Sequence, residues 1–569
     1  MLRKIQFIGI VLLAAILLYL KNSFFNVNEM LVPKTKQSVN GTNKNEGYAY
    51  VSLLCDDLMI EAAKTLIFTL SQTTKNKIII MIMEQVQQRQ VLESLGAELM
   101  VIDELAYPFP ITQDKKNINK MCRYSKIHAW SLIKYEKVVF LDADTIVTQN
   151  VDELFTFPEL SATRDIGDTF NSGVMVLKPS TYTFQAMKDD YLNAPSYNQG
   201  DQGFLNWFFE GKFKEIACSY NTMTKFKEFA TWPMIRQQAK ILHFSSETKP
   251  WNLHYFGHSS WNQNFDSFTY YIWWRKNRES RQFSKWEYKG MCDEFFIKSL
   301  NKQYLTDSVT VLIKDWDQDN IRKTILHYSS MEIVHKVVVI ARHSQSILLS
   351  GVKSSMHGVK KSLEFLETKK DLNFYFIPSI KFDTRCVLMV DDRNLLSLSQ
   401  VKSGFQSWRM NVHALTGFYP RIHEIVDQNM LYTIHNTKYS ILTSNGLFFS
   451  VDLLSQFTCL MPENLHAFLS QNQHCNDIAF NMMVSGTTQL KPIAIQSDLI
   501  DDEARLISDL ISKNSKMFND DPRFLIGKCI TTLAKIFHGN PLKIATVSVA
   551  PFFKIQFRKK REEQWNDEL

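Results

Sequence analysis

From Gly47 onward, short apolar runs of strand length alternate with stretches of helical period, and this rhythm constrains the fold more than any other feature of the chain. Tyr48 to Leu54 is a strand candidate, Leu58 to Leu70 has helical spacing, Lys77 to Met83 is a buried-strand run, and Val86 to Leu95 is helical again. Such alternation predicts an α/β fold, a mostly parallel sheet with helices on its faces. Ligands in that architecture bind beyond the carboxyl ends of the strands, so the loops that follow the strands should carry the chemistry. The alternation restarts with strand candidates at Ser308 to Ile313, Lys336 to Ile340, Asp371 to Ile377 and Cys386 to Val390. A second sheet of the same kind is expected there, although no sequence repeat relates the halves.

Composition bounds the reading. A chain of 569 residues, 45% hydrophobic and 22% charged, is too long for one small domain and predicts two, or three. The formal charge of +7 is spread over 65 Lys+Arg and 58 Asp+Glu, which does not describe a nucleic-acid-binding face. Eight cysteines stand without a C-x-x-C pair, which argues against zinc ribbons and thioredoxin chemistry. One or two disulfides in an oxidising compartment are expected instead.

One loop carries a specific signal. The apolar run Lys137 to Leu141 leads straight into Asp142-Ala143-Asp144-Thr145. Residues two apart in an extended chain project to the same side, so both carboxylates can face one point just past the strand end. Hard oxygen ligands in that position suit Mg²⁺ or Mn²⁺ bridging the phosphates of a nucleotide. A D-x-D triplet also caps helices and turns, and alone it leaves both readings open.

The companions are Asn171-Ser-Gly-Val-Met-Val-Leu177, Gly200-Asp-Gln-Gly-Phe-Leu-Asn206, and Ile241-Leu-His-Phe-Ser245 followed by Lys249-Pro-Trp251. With Asp142 and Asp144, this ordered set resembles the glycogenin-like family of retaining glycosyltransferases, with the nucleotide-sugar-binding A-type fold, over residues 47–275. The resemblance implies that Asp142, Asp144 and His243 hold Mn²⁺ and that Lys249 contacts the diphosphate of a UDP-sugar donor. It implies that Lys126 lies near the donor sugar, that Asp168 and Asn171 surround the sugar, and that Asp201 and Gln202 lie beneath the anomeric carbon. Imidazole beside carboxylates is a sensible Mn²⁺ set. No carboxyl pair of the glycoside-hydrolase kind is evident, so the expectation is same-face attack through an oxocarbenium-like state. Glycogenins have an acidic residue where Asn198 stands, so self-glucosylation is not implied.

Residues 276–305 are rich in charge and aromatics and read as a packed connector. Beyond it, Cys386 to Val390 ends in Asp391-Asp392-Arg393, and Thr416 to Arg421, Tyr439 to Thr443, Cys475 to Asn481 and Phe524 to Leu542 follow. These segments resemble the exostosin-like family of retaining N-acetylhexosaminyltransferases over residues 306–555. The resemblance implies a catalytic role for Asp477 and a disulfide between Cys475 and Cys529. Two departures stand at the donor site: Arg393 replaces the family's metal-binding third Asp, and Asn373-Phe-Tyr-Phe376 lacks the family's arginine. A guanidinium cannot ligate Mn²⁺. The domain is therefore expected to be non-catalytic, the rival reading being that Arg393 supplies the charge of the missing metal. On either reading it can still bind glycan or hold a partner. The expected fold is thus two A-type, Rossmann-like glycosyltransferase domains in tandem.

The ends address the compartment. After Met1 to Lys4, the apolar run 5–20 reads as an uncleaved signal-anchor helix; a cleaved signal peptide is the rival, and the absence of a small-x-small site argues against it. Arg3 and Lys4 should remain cytosolic, giving a type II protein with a polar stem at 21–46 that contains the sequon Asn40-Gly-Thr42. Residues 556–569 form a polar tail whose end, Asn566-Asp-Glu-Leu569, is either an ER-retrieval variant or a solvated terminus. The expected partners are a UDP-sugar donor, a glycan or glycoprotein acceptor and a Golgi or endoplasmic-reticulum membrane, with no nucleic acid. The competing hypothesis is a non-catalytic luminal protein that binds glycan or forms complexes with active transferases. Serine-hydrolase, zincin, dinucleotide-binding and P-loop motifs are all missing from the chain.

Overall fold

The computed structural model describes residues 47–549 apart from internal stretches, the longest being 111–120, 254–264, 368–375 and 508–521. The expected anchor, the stem with its sequon, the polar tail and residues 373–375 lie outside the described residues. Among the described residues, no helix is long and apolar enough to cross a membrane.

In the first half, the apolar runs become strands β1 (Tyr48–Leu54), β2 (Lys77–Ile82), β3 (Glu98–Val101) and β4 (Lys137–Leu141). They are followed by β5 (Thr145–Val147), β6 (Ser161–Arg164), β7 (Phe170–Leu177), β8 (Lys214–Glu215), β9 (Thr222–Met223) and β10 (Ile241–His243). One seven-stranded sheet has the order β3-β2-β1-β4-β7-β6-β8. Strands β3, β2, β1 and β4 are parallel, β7 runs antiparallel to both β4 and β6, and β8 is parallel to β6. The continuous apolar character of β2 and β4 follows from burial on both faces. Helix Ile60–Ser71 supplies part of that cover, burying Ile60, Ala63, Leu66, Ile67 and Leu70 at helical spacing.

The second half builds β11 (Leu305–Ile313), β12 (Val334–Ala341), β13 (Ser362–Glu367), β14 (Thr384–Val390) and β15 (Thr416–Gly417). It continues with β16 (Pro420–Val426), β17 (Asn429–Thr433), β18 (Ile441–Leu442), β19 (Leu447–Ser450) and β20 (Ile493–Ala494). Its sheet, β13-β12-β11-β14-β19-β15-β20, repeats the first in order and strand direction. The expected strand at Asp371 to Ile377 falls mostly outside the described residues, and β13 lies earlier in the chain, at Ser362–Glu367. In each sheet the strand order reverses between the first strand and the one ending in acids, β1 beside β4 and β11 beside β14. That reversal opens a crevice at the strands' carboxyl ends.

Helix Ser267–Ser280 joins the halves by packing against both. Asn277 Nδ2 donates to Glu61 Oε2 and Thr65 Oγ1, each at 3.0 Å, and Arg281 pairs with Glu61 at 2.6 Å. From the same helix the buried Arg278 pairs with Glu463 at 2.7 Å and donates to the carbonyls of Cys459 and Met461. Phe295 and Phe296 of the connector enter one apolar cluster with Trp273, Trp274, Phe457, Leu460 and Phe480, so this part of the connector is core. Three disulfides form among the described residues, Cys55–Cys122, Cys292–Cys459 and Cys475–Cys529. The last is the pair the resemblance implied, whereas the total exceeds the expected one or two. Cys292–Cys459 ties the connector to the second half.

Candidate functional site

Strand β4 delivers Asp142 and Asp144 to the crevice, and a small sheet brings the third ligand. Strand β10 pairs antiparallel with β5, His243 opposite Thr145, and Phe244 N donates to Asp144 O. His243 Nε2 thereby lies 3.3 Å from Asp144 Oδ1 and 4.0 Å from Asp142 Oδ2. One ligand atom from each of the three residues lies within 4.8 Å of the others. Converging nitrogen and oxygen lone pairs require a cation between them, a proton or a metal ion. Two carboxylates with an imidazole fit a borderline divalent ion such as Mn²⁺.

A chain of amides fixes how the imidazole is presented. Asp165 is a carboxylate and only accepts, so Asn171 must turn its Nδ2 toward Asp165 Oδ2, at 3.1 Å. Asn171 Oδ1 then accepts from Asn221 Nδ2 at 2.9 Å, which leaves Asn221 Oδ1 to take the Nδ1–H of His243, also at 2.9 Å. The Nε2 lone pair is left facing the carboxylates, the arrangement by which outer partners orient metal-ligating histidines. Gly173 makes room for the ring: a Cβ there would lie 2.3 Å from His243 Cε1. Asp165, Asn221 and Gly173 were not singled out from sequence as site residues. A polar residue at the head of β9, beside the histidine strand, would have been the only signal for Asn221.

Gln202 hangs on the same network. Its Nε2 donates to Asp165 Oδ2 at 3.1 Å and to the Tyr197 hydroxyl at 2.8 Å, and its Oε1 accepts from Asn171 Nδ2 at 3.0 Å. Asp201, its neighbour in helix Asp201–Phe208, is buried and pairs with Lys126 at 2.6 Å. Lys126 is buried too, and reaches Asp142 Oδ1 at 2.9 Å as well as Ser172. It therefore ties the D-x-D loop to the Asp201 helix. Burial pushes the Asp201 carboxyl up, but Lys126 and Arg123 outweigh it and hold it below the usual range. For Lys126, burial is outweighed in turn by Asp142 and Asp201, which raise it. Burial pushes the Asp144 carboxyl up, but the Lys249 ammonium 2.8 Å away outweighs it and holds the group well below the ordinary carboxylate range.

One expected residue stands differently. Asp168 is fully exposed and pairs with Arg164 at 3.1 Å, outside the cluster, whereas Asp165 lies in it. The hairpin between β6 and β7 decides this, closing with Asp165 N on Thr169 O and turning through Gly167 at φ 69°. Asn198 is engaged in shaping the start of helix Asp201–Phe208, its Oδ1 accepting from Gly200 N at 2.9 Å and Gly203 N at 3.1 Å.

Asp477 lies in a separate site, at the crevice of the second sheet. Its Oδ2 accepts from Ser444 N at 2.8 Å. Where the first sheet has a ligand triad, Asp391 pairs with Arg393 at 3.0 Å, and Asp392 accepts from Asp317 N at 2.7 Å. Among the described residues, the other ligand-type cluster is His474 with Cys475 and Cys529, whose thiols are consumed in a disulfide.

Residues 24–254 match Glycosyl transferase family 8, and residues 308–553 match the Glycosyl transferase family 64 domain. Glycogenin-1 of Mus musculus is 33% identical over 225 residues, 36% of this chain and 66% of that protein. Putative UDP-glucuronate:xylan alpha-glucuronosyltransferase 3 of Arabidopsis thaliana is 36% identical over 168 residues, 27% of each chain. The chain thus spans less than two thirds of the length of either relative. Among solved structures, a galactosyltransferase, LgtC, in complex with donor and acceptor sugar analogs is 17% identical, covering 42% of this chain and 99% of that one at a TM-score of 0.32. Over residues 24–254 the chain thus matches glycosyl transferase family 8 and is similar to glycogenins, and over residues 308–553 it matches the glycosyl transferase family 64 domain.

Proposed function

We infer that the family 8 domain transfers a sugar from a UDP-sugar donor to a glycan acceptor with retention of anomeric configuration, and that the family 64 domain does not catalyse. The observation that carries this reading is the convergence of Asp142, Asp144 and His243 on one point, a ligand set the second sheet lacks among its described residues. Mn²⁺ held there would neutralise charge on the donor diphosphate and on departing UDP. Lys249 adds a fixed cation at the same place. Asp201, kept ionised by Lys126, and Gln202, oriented by Asp165 and Tyr197, stabilise the positive charge that develops at the sugar carbon. Asn171 positions a sugar hydroxyl from the same network.

The apolar run at 5–20 behind Arg3 and Lys4 supports a single-pass type II protein with both domains in the lumen of the Golgi or endoplasmic reticulum. Protection from added protease in sealed microsomes tests that orientation. For the chemistry, UDP release by the full chain in detergent is measured with Mn²⁺ across a panel of UDP-sugars and acceptors, beside Asp144→Ala and Asp477→Ala. Turnover abolished by Asp144→Ala and kept by Asp477→Ala is the expected result. Turnover abolished only by Asp477→Ala overturns it.

A further inference from the structure

The crevice of the second sheet holds a cavity of about 350 Å³ whose lining offers, among the described residues, no triad of two carboxylates and an imidazole. Its charges are already matched. Of its three cations, Arg393 pairs with Asp391 at 3.0 Å, and the buried Arg421 forms a bidentate pair with Asp501, both bonds at 2.8 Å. Lys314 and Asp477 complete a lining with as many carboxylates as cations. A nucleoside diphosphate would bring two or more negative charges beside Asp391 and Asp477, with no metal triad to offset them among the described residues.

The polar groups favour a different ligand. Ser444 is 1% exposed, lines the cavity, and its hydroxyl has no hydrogen-bond partner in the structure. An orphaned buried hydroxyl is costly unless a ligand meets it. Its own backbone N–H fixes Asp477, which also lines the cavity and is a strong acceptor for hydroxyl groups. Tyr419 and Tyr432 add aromatic rings to the walls, and Asn445 an amide. Hydroxyl-accepting carboxylate, amide, lone hydroxyl and aromatic surface together complement a ring bearing adjacent hydroxyls, not an anion.

We propose that this cavity binds an uncharged sugar residue of a glycan, without metal and without nucleotide, so that the family 64 domain holds glycan rather than extending it. The proposal does not depend on the transfer assigned to the family 8 domain, because its readout is binding alone.

The test uses the full chain carrying Asp144→Ala, in EDTA, on an array of uncharged oligosaccharides containing glucose, galactose, xylose, mannose and N-acetylhexosamines. The strongest hit is then titrated calorimetrically, alongside UDP. Saturable glycan binding is expected, weakened about tenfold or more by Asp477→Asn and by Ser444→Ala, with no UDP binding. Ser444→Ala removes a costly hydroxyl that has no partner in the protein, so its melting temperature should be no lower than that of the parent and any loss of binding reports on the ligand. The proposal falls if no oligosaccharide binds, if binding survives both substitutions, or if UDP binds in EDTA and displaces the glycan.

Discussion

Replacing Lys126 by methionine tests the electrostatic keystone of the family 8 site. The Lys126 side chain is 3% exposed and that of Asp201 8%, so removal of the ammonium leaves a buried carboxylate without its partner. Breaking a buried pair from one side costs about 3–5 kcal/mol, and the lower end applies because Asp142, the second partner, is nearly a third exposed to water. At about 2–4 °C per kcal/mol for a domain of this size, the melting temperature should fall by about 6–12 °C at pH 7.5. The sign of the pH dependence is fixed. Asp201 is lowered in the folded state, so its contribution is present above the unfolded value of about 3.9 and is lost as pH falls through the lower folded value. Lys126 is raised, so its contribution is complete below about 10.4 and is lost as pH rises through the higher folded value. The pair therefore acts at full strength across the neutral range. In the variant, burial of Asp201 is no longer opposed by Lys126, its carboxyl takes up a proton more readily, and the deficit should shrink at pH 5. Urea denaturation of the metal-free protein at both pH values, with Lys126→Met/Asp201→Asn as the neutralised control, measures this. A loss below about 1 kcal/mol at pH 7.5, or a double variant no more stable than Lys126→Met, would refute the reasoning.

Other outcomes follow from the same geometry. Asn221→Ala frees the His243 ring from its outer partner and should weaken Mn²⁺ binding about 10- to 100-fold by calorimetry, while Asn221→Asp, which still accepts the Nδ1–H, should retain most of the affinity. Gly173→Ala should abolish the metal site, because its Cβ would overlap the imidazole; unchanged Mn²⁺ affinity would contradict the packing. Asp168→Ala should leave kcat/KM within about twofold, whereas Asp165→Ala, by releasing Asn171 and Gln202 together, should lower it roughly tenfold or more. Arg278→Met, stripping Glu463 and two carbonyls of their donor, should cost about 3–5 kcal/mol in denaturation and make the junction between the halves more sensitive to limited proteolysis.

Much of the first domain was legible because its signals are local. The strands from Tyr48 to Leu141 are apolar runs of the right length, and the end of β4 marks where the carboxylates emerge. The Cys475–Cys529 pair, by contrast, came from resemblance and not from spacing. Neither Cys55–Cys122 nor Cys292–Cys459 could be read, since cysteines separated by 67 and 167 residues have no pairing preference until the fold sets their distance.

The sequence by itself determined the architecture: two rounds of strand–helix alternation, each with an acidic loop after a buried strand, because burial on both faces of a parallel sheet writes itself into consecutive residues. Tertiary structure decided which polar groups meet. His243 reaches Asp144 only because β10 pairs with β5, and Asn221 reaches His243 from the neighbouring β9. Asp165 rather than Asp168 faces the site because the closing turn sets their directions, and a five-residue loop has no periodicity from which a direction can be read. Lys126, which resemblance alone set near the donor sugar, became the buried tie between two carboxylates brought together by different elements. Hydrophobic periodicity is a property of neighbours along the chain, whereas a site is made by neighbours in space.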